Sequence, residues 1–261
     1  MSKQRYYTTQ LQAGLGLLEE TRQLLEVYEP GMSASQLYEA ALASGRFPLV
    51  TARRLRNIAA ECFAPRYLRD PNVAARLKSM VERFTKAELN QLLFIYTARA
   101  NLVLADFVRE VYWTRYSAGR NDLQLEDARA FVANNVREGK TQTPWSETTI
   151  KRISSYLMGC CADYGLLTTT GRNQRSIAAY RILPKVAAYL AYDLKFSGLG
   201  DNQIVSSSDW DLFGLESADV RDQLKRMSLQ GLLIFQAASD VVHIGWTYKS
   251  MEELIDVIAK S

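Results

Sequence analysis

The chain has 261 residues, of which 48% are hydrophobic and 23% charged, with a net charge of +4, one histidine and three cysteines. This balance supplies the core of two or three ordinary globular modules and excludes a disordered or disulfide-stapled chain, since the cysteine count is odd and Cys160 and Cys161 are adjacent. Charge is unevenly spread: residues 1–120 carry 17 basic and 11 acidic side chains, residues 121–185 nine and six, and residues 186–261 six and eleven, so the first two thirds suit a polyanion and the last third repels one.

In chain order, the apolar spacing of Leu11, Leu15, Leu18, Leu25 and Val27 predicts a first helix, stopped by Glu29, Pro30 and Gly31. Ser33 reads as the N-cap of a second helix running to about Ser44, followed by a turn from Gly45 to Pro48. Thr51 caps a third helix, expected to end before Pro65. Lys86 to Tyr116 reads as a long central helix, with Asn101 as a candidate break, and Gly119 to Asp122 as a linker. A helix from Leu125 to Val136, a turn from Gly139 to Pro144 and a helix from Ser146 to Tyr164 come next. Leu166 to Thr169 and Ile177 to Leu183 then flank a polar turn, Gly171 to Arg175, as a β-hairpin. The same order recurs with helices at Val186 to Phe196 and Ala218 to Leu229, a hairpin of 231–236 with 241–246, and a closing helix from Met251 to Lys260. The expected fold is mainly α with small β-hairpins: helix-turn-helix and winged-helix modules around the central helix. Three domains are expected: 1–120 with a helix-turn-helix at 33–64, a winged helix at 121–185, and an acidic winged-helix-like domain at 186–261.

Two of these modules carry the residues of a nucleic-acid surface. In the third helix, Leu55, Ile58, Ala59 and Cys62 form one apolar face, which sends Arg53, Arg56 and Asn57 to the opposite face and Arg54 to its flank, with Arg46 in the preceding turn. From Arg46 to Arg69 there are six arginines and a single carboxylate, Glu61. Guanidinium forks match phosphate oxygens and guanine edges, and asparagine matches adenine. In the helix from Ser146, Ile150, Ile153, Leu157, Cys161 and Tyr164 share a face, while Thr148, Lys151, Arg152 and Ser155 point away. Arg172, Asn173 and Arg175 are placed on the hairpin that follows, as a basic wing. Arg221, Lys225 and Arg226 of the last module are interleaved with Asp219 and Asp222, which favours a protein-facing or structural role.

No enzyme signature emerges. The lone His243 lies in an expected strand, and no CxxC, HxxxH, phosphate-loop or strand-borne GxGxxG pattern is present. Asp127 with Glu138 and Lys140 has nuclease-like residue types, but on helices rather than strands converging on a metal. Neither catalysis, a cofactor, a metal nor a small-molecule substrate is expected. The start, Met1 to Tyr7, lacks an apolar leader, and no apolar run nears the roughly 18 residues of a membrane span, so a cytoplasmic protein without a membrane partner is expected.

Seven separated runs carry a family resemblance: Leu17 to Arg22, Phe63 to Tyr67, Leu93 to Asn101, Ala105 to Trp113, Pro144 to Thr149, Trp210 to Leu215 and Tyr248 to Glu253. In these the chain resembles the BrxA family of bacterial BREX phage-defence operons. The resemblance implies a non-catalytic accessory component acting beside other BREX proteins, among them a methyltransferase, a large ATPase and a phosphatase-like protein. With the basic helix faces, the expected function is binding of double-stranded DNA through helix-turn-helix modules. Two alternatives stay open: RNA binding in the manner of the antitermination factor NusB, to which the family has been likened, and a scaffold that contacts only proteins.

Overall fold

The computed structural model describes residues 6–13, 17–170, 174–238 and 241–260, and it is mainly helical with two small antiparallel hairpins. The chain forms two compact units: residues 1–81 with 93–180, and residues 82–92 with 181–261. The expected division at 120/121 falls inside the first unit, and the one at 185/186 lies close to the start of the second unit's main segment.

In the first unit, α1 (Leu18–Val27), α2 (Ala34–Ala43) and α3 (Ala52–Asn57) follow the expected order. The hydroxyl of Ser33 accepts from the backbone N–H of Gln36, and Gln36 Oε1 accepts from the N–H of Ser33 at 2.9 Å, a reciprocal cap that starts α2. Thr51 caps α3 with its hydroxyl alone, accepting from Arg54 N at 3.2 Å. The third helix does not stop before Pro65. It passes through a π-helical stretch, Ile58–Phe63, into α4 (Ala64–Tyr67). In that stretch the N–H of Ala64 reaches the carbonyl of Ala59, five residues back. Proline lacks an N–H and crowds the carbonyl four residues before it, and the wider turn makes room for the ring.

After α5 (Pro71–Met80) comes α6 (Lys86–Ala100), whose residues are divided between the two units. The long helix expected here is interrupted at the candidate break: at Asn101 the chain leaves helical geometry and bends by 112° into α7 (Leu102–Phe107), a π stretch (Val108–Tyr112) and α8 (Trp113–Ser117). The Thr97 carbonyl accepts from both the backbone N–H of Asn101 at 3.0 Å and its side-chain amide at 2.9 Å, which fixes the asparagine at the bend. Among the described residues no single helix is long and apolar enough to cross a membrane.

The α9 helix (Leu125–Arg137) packs on α10 (Glu147–Asp163), and the latter ends where Gly165 takes a φ of 83°. Strands β1 (Leu167–Thr170) and β2 (Gln174–Ile177) follow, paired from Leu167 with Ile177 to Thr170 with Gln174. The second arm is therefore 174–177, not 177–183, because the backbone pairing with 167–170 sets the register. The expected linker is likewise tied down: Asp122 bridges to Ser176, and the N–H of Ile177 donates to the carbonyl of Asn121 at 2.9 Å.

The second unit is built on α11 (Pro184–Phe196), in which every residue from Val186 to Leu194 is buried. Helix α12 (Asp201–Val205) and a 3₁₀ turn (Trp210–Phe213) lie between the two expected helices, in a stretch with no clear periodicity. Trp210 anchors them, fully buried, with its indole N–H on the carbonyl of Ile204 at 2.8 Å. Then come α13 (Ser217–Leu229), β3 (Leu233–Ala238) paired with β4 (Val241–Trp246), and α14 (Met251–Ile258).

Candidate nucleic-acid interface

The α3 surface is set by its buried side. Leu55, Ile58, Ala59, Cys62 and Phe63 are each at most 2% exposed, so the helix cannot rotate without exposing them. Arg53, Arg54, Arg56 and Asn57 are thereby held outward, all exposed. The Arg56 guanidinium lies over the Tyr38 ring, 4.8 Å from its centroid, which restricts a long side chain that would otherwise roam. Arg46 is also exposed, but its guanidinium is paired at 2.5 Å with Glu26 of α1, so its charge is partly spent. Arg66, counted among the six arginines of this stretch, is only 6% exposed and belongs to the core beside Tyr67. Burial acts against its cation, but the phenol and thiol groups of Tyr164, Tyr67, Cys160 and Cys62 act in the opposite direction, and its pKa lies above the ordinary arginine value.

The α10 surface follows the same logic. Ile150, Ile153, Leu157, Cys161 and Tyr164 are buried. Thr148, Lys151, Arg152 and Ser155 are exposed along the other side. Ser146 starts the helix by accepting from Thr149 N at 3.3 Å. The Ser155 hydroxyl donates to the Lys151 carbonyl at 3.0 Å, so its proton is already used within the helix. On the hairpin, Arg172 and Asn173 lie outside the described residues. Arg175 is placed differently from the expected wing cation: it is half-buried, and its Nη1 is enclosed without a hydrogen-bond partner. The structure thus groups Arg53, Arg54, Arg56 and Asn57 on one helix and Thr148, Lys151, Arg152 and Ser155 on another, both in the first unit, and separates Arg46 and Arg175 from these groups by their own surroundings.

Sequence reading missed an open cavity of about 790 Å³, formed where the segment 121–126 meets α10 and β2. Asp122, Gln124, Met158 and Arg175 are among its walls. The strand-like pairing of 121–123 that creates it leaves no alternating signal in three residues. Among the described residues no group of three or more His, Cys, Asp or Glu side chains is placed to hold a metal ion.

Comparison with known proteins adds three findings. No curated protein matches the chain. A solved structure, the crystal structure of an uncharacterized protein from Magnetospirillum magneticum, is similar with a TM-score of 0.56 at 17% identity, covering 73% of this chain and 95% of that one. At such identity the likeness is one of fold. The family model described as BrxA matches residues 5–193, well over half of the chain, and the protein therefore belongs to the BrxA family, which associates it with BREX phage defence.

Proposed function

We propose that the protein is a non-catalytic component of BREX phage defence that binds duplex DNA through α3 and the first two turns of α10. The observation that carries this reading is the repeated pairing of an apolar face in the core with an outward face of cations and short polar side chains. It occurs on the second helix of α2–α3 and again on the second helix of α9–α10. In this reading α2–α3 acts as a helix-turn-helix and α9–α10 with β1–β2 as a winged helix, each placing its second helix in a major groove. Arginine, lysine and the helix N-termini would hold phosphates, while Asn57 and Thr148 are short enough to approach base edges. The second unit carries 13 acidic and 10 basic side chains, a balance that suits contact with other BREX proteins better than with DNA.

The test is a titration of the full chain against duplex DNA, single-stranded DNA and RNA, alongside a variant carrying Arg53→Glu, Arg56→Glu, Lys151→Glu and Arg152→Glu. Duplex DNA is expected to bind best and to be lost in the variant. Preference for RNA would favour the NusB-like alternative, and absence of binding to any of the three at low salt would favour a protein scaffold.

A further inference from the structure

The Arg175 side chain is half-buried, and its Nη1 is enclosed without a hydrogen-bond partner, as are Asn90 Oδ1 and Trp246 Nε1. A guanidinium presents five donors, and enclosing one of its nitrogens without a partner forfeits the hydration it would have had in water. Arg175 borders the cavity of about 790 Å³, a volume within the range of small-molecule sites. Asp122, which lines the same cavity, accepts from the Gln124 side chain at 3.1 Å. The cavity walls are of mixed character. Met158 and Leu123 are apolar, the Asp122 and Glu126 carboxylates can accept from hydroxyl or amino groups, and the Arg175 guanidinium can receive an oxyanion in fork geometry.

We propose that this cavity binds a phosphate ester of mononucleotide size, with the phosphate on Arg175, the sugar hydroxyls toward Asp122 and Glu126, and the base against Met158. Guanidinium, carboxylate and apolar wall then each meet the part of a nucleotide that complements it, which a bare anion or an apolar ligand does not achieve. The site adjoins Ser155 on the outward side of α10, so an occupant would sit at the edge of the proposed DNA-contacting surface. A backbone phosphate of bound DNA offers Arg175 the same chemistry from another source. The proposal does not depend on DNA binding, since a free nucleotide can be tested alone.

Calorimetric titration of the full-length protein with AMP, GMP, CMP and UMP separately, with adenosine and inorganic phosphate as controls, tests it. The same titrations are run on Arg175→Gln and Ser155→Trp. Ser155 is exposed, so its replacement fills the cavity edge without entering the core. At least one mononucleotide is expected to bind at one per chain, the unphosphorylated nucleoside at least about tenfold more weakly, and both variants to lose about tenfold or more in affinity. Should Arg175→Gln fail to fold, Ser155→Trp decides the result. If no mononucleotide binds but Arg175→Gln weakens duplex binding while melting as the parent does, the phosphate is DNA's and the nucleotide occupant is overturned. If no mononucleotide binds and Arg175→Gln leaves duplex binding unchanged, phosphate recognition by Arg175 is overturned altogether.

Discussion

Arg56 on α3 stacks its guanidinium on the ring of Tyr38 on α2, 4.8 Å from the ring centroid, so the two helices share a contact between a surface cation and a buried aromatic face. The contact orders Arg56 before any ligand arrives, which reduces the side-chain entropy lost on binding. A double-mutant cycle of Arg56→Ala with Tyr38→Leu is expected to show a coupling of about 0.5–1 kcal/mol in urea-unfolding stability. Tyr38→Phe retains the aromatic face and is expected to preserve the coupling. Additive effects of the two substitutions would show that the stack contributes nothing.

Helix α10 depends on its start. Ser146 accepts from the backbone N–H of Thr149 at 3.3 Å, and Thr148, Lys151 and Arg152 lie in the two turns that follow. Ser146→Ala is expected to cost about 1 kcal/mol of stability, and Ser146→Asp to retain most of it. The alanine variant is also expected to bind duplex DNA more weakly, because fraying at this end moves the side chains proposed to meet it. Denaturant titration gives the first effect and DNA titration the second.

Much of this organisation is legible in the sequence because it is local. The caps at Ser33, Thr51 and Ser146 and the apolar spacing of Leu55, Ile58, Ala59 and Cys62 depend on neighbours within a few residues. Pro65 misleads for the opposite reason: a helix-breaking residue is accommodated by a change of helix type that no periodicity announces. The hairpin arm is misplaced because 177–183 alternates partly, while the true register is set by pairing with 167–170 and by the bridge to Asp122. The same holds for the candidate site. Exposure of Arg53 and Lys151 follows from helix geometry, but the pairing of Arg46 with Glu26, 20 residues earlier, the burial of Arg66 and the inward position of Arg175 are tertiary facts.

Alkaline sensitivity is expected from the buried thiols and phenols. Burial pushes the Cys160 thiol from its ordinary 9.0 up to about 12. Burial likewise raises Cys161 and the phenols of Tyr112, Tyr164 and Tyr180 well above their ordinary range. In the unfolded chain these groups lose protons at lower pH than in the folded one. The folded state then binds more protons, and stability falls as pH rises. The contribution is fully present below the unfolded values and is lost as pH climbs through the folded ones. The melting temperature is expected to be flat to about pH 8 and to drop progressively from about pH 9 to 11. Equal melting temperatures at both ends of that range would contradict the burial of these groups.

The most direct test of duplex DNA binding through α3 and α10 is the salt dependence of affinity. The logarithm of the binding constant for a duplex is measured against the logarithm of salt concentration, for the parent and for Lys151→Ala. The expected result is a steep negative slope that becomes shallower by about 1 in the variant, as removal of one phosphate contact requires. No duplex binding at low salt, or an affinity that does not change with salt, would contradict the account.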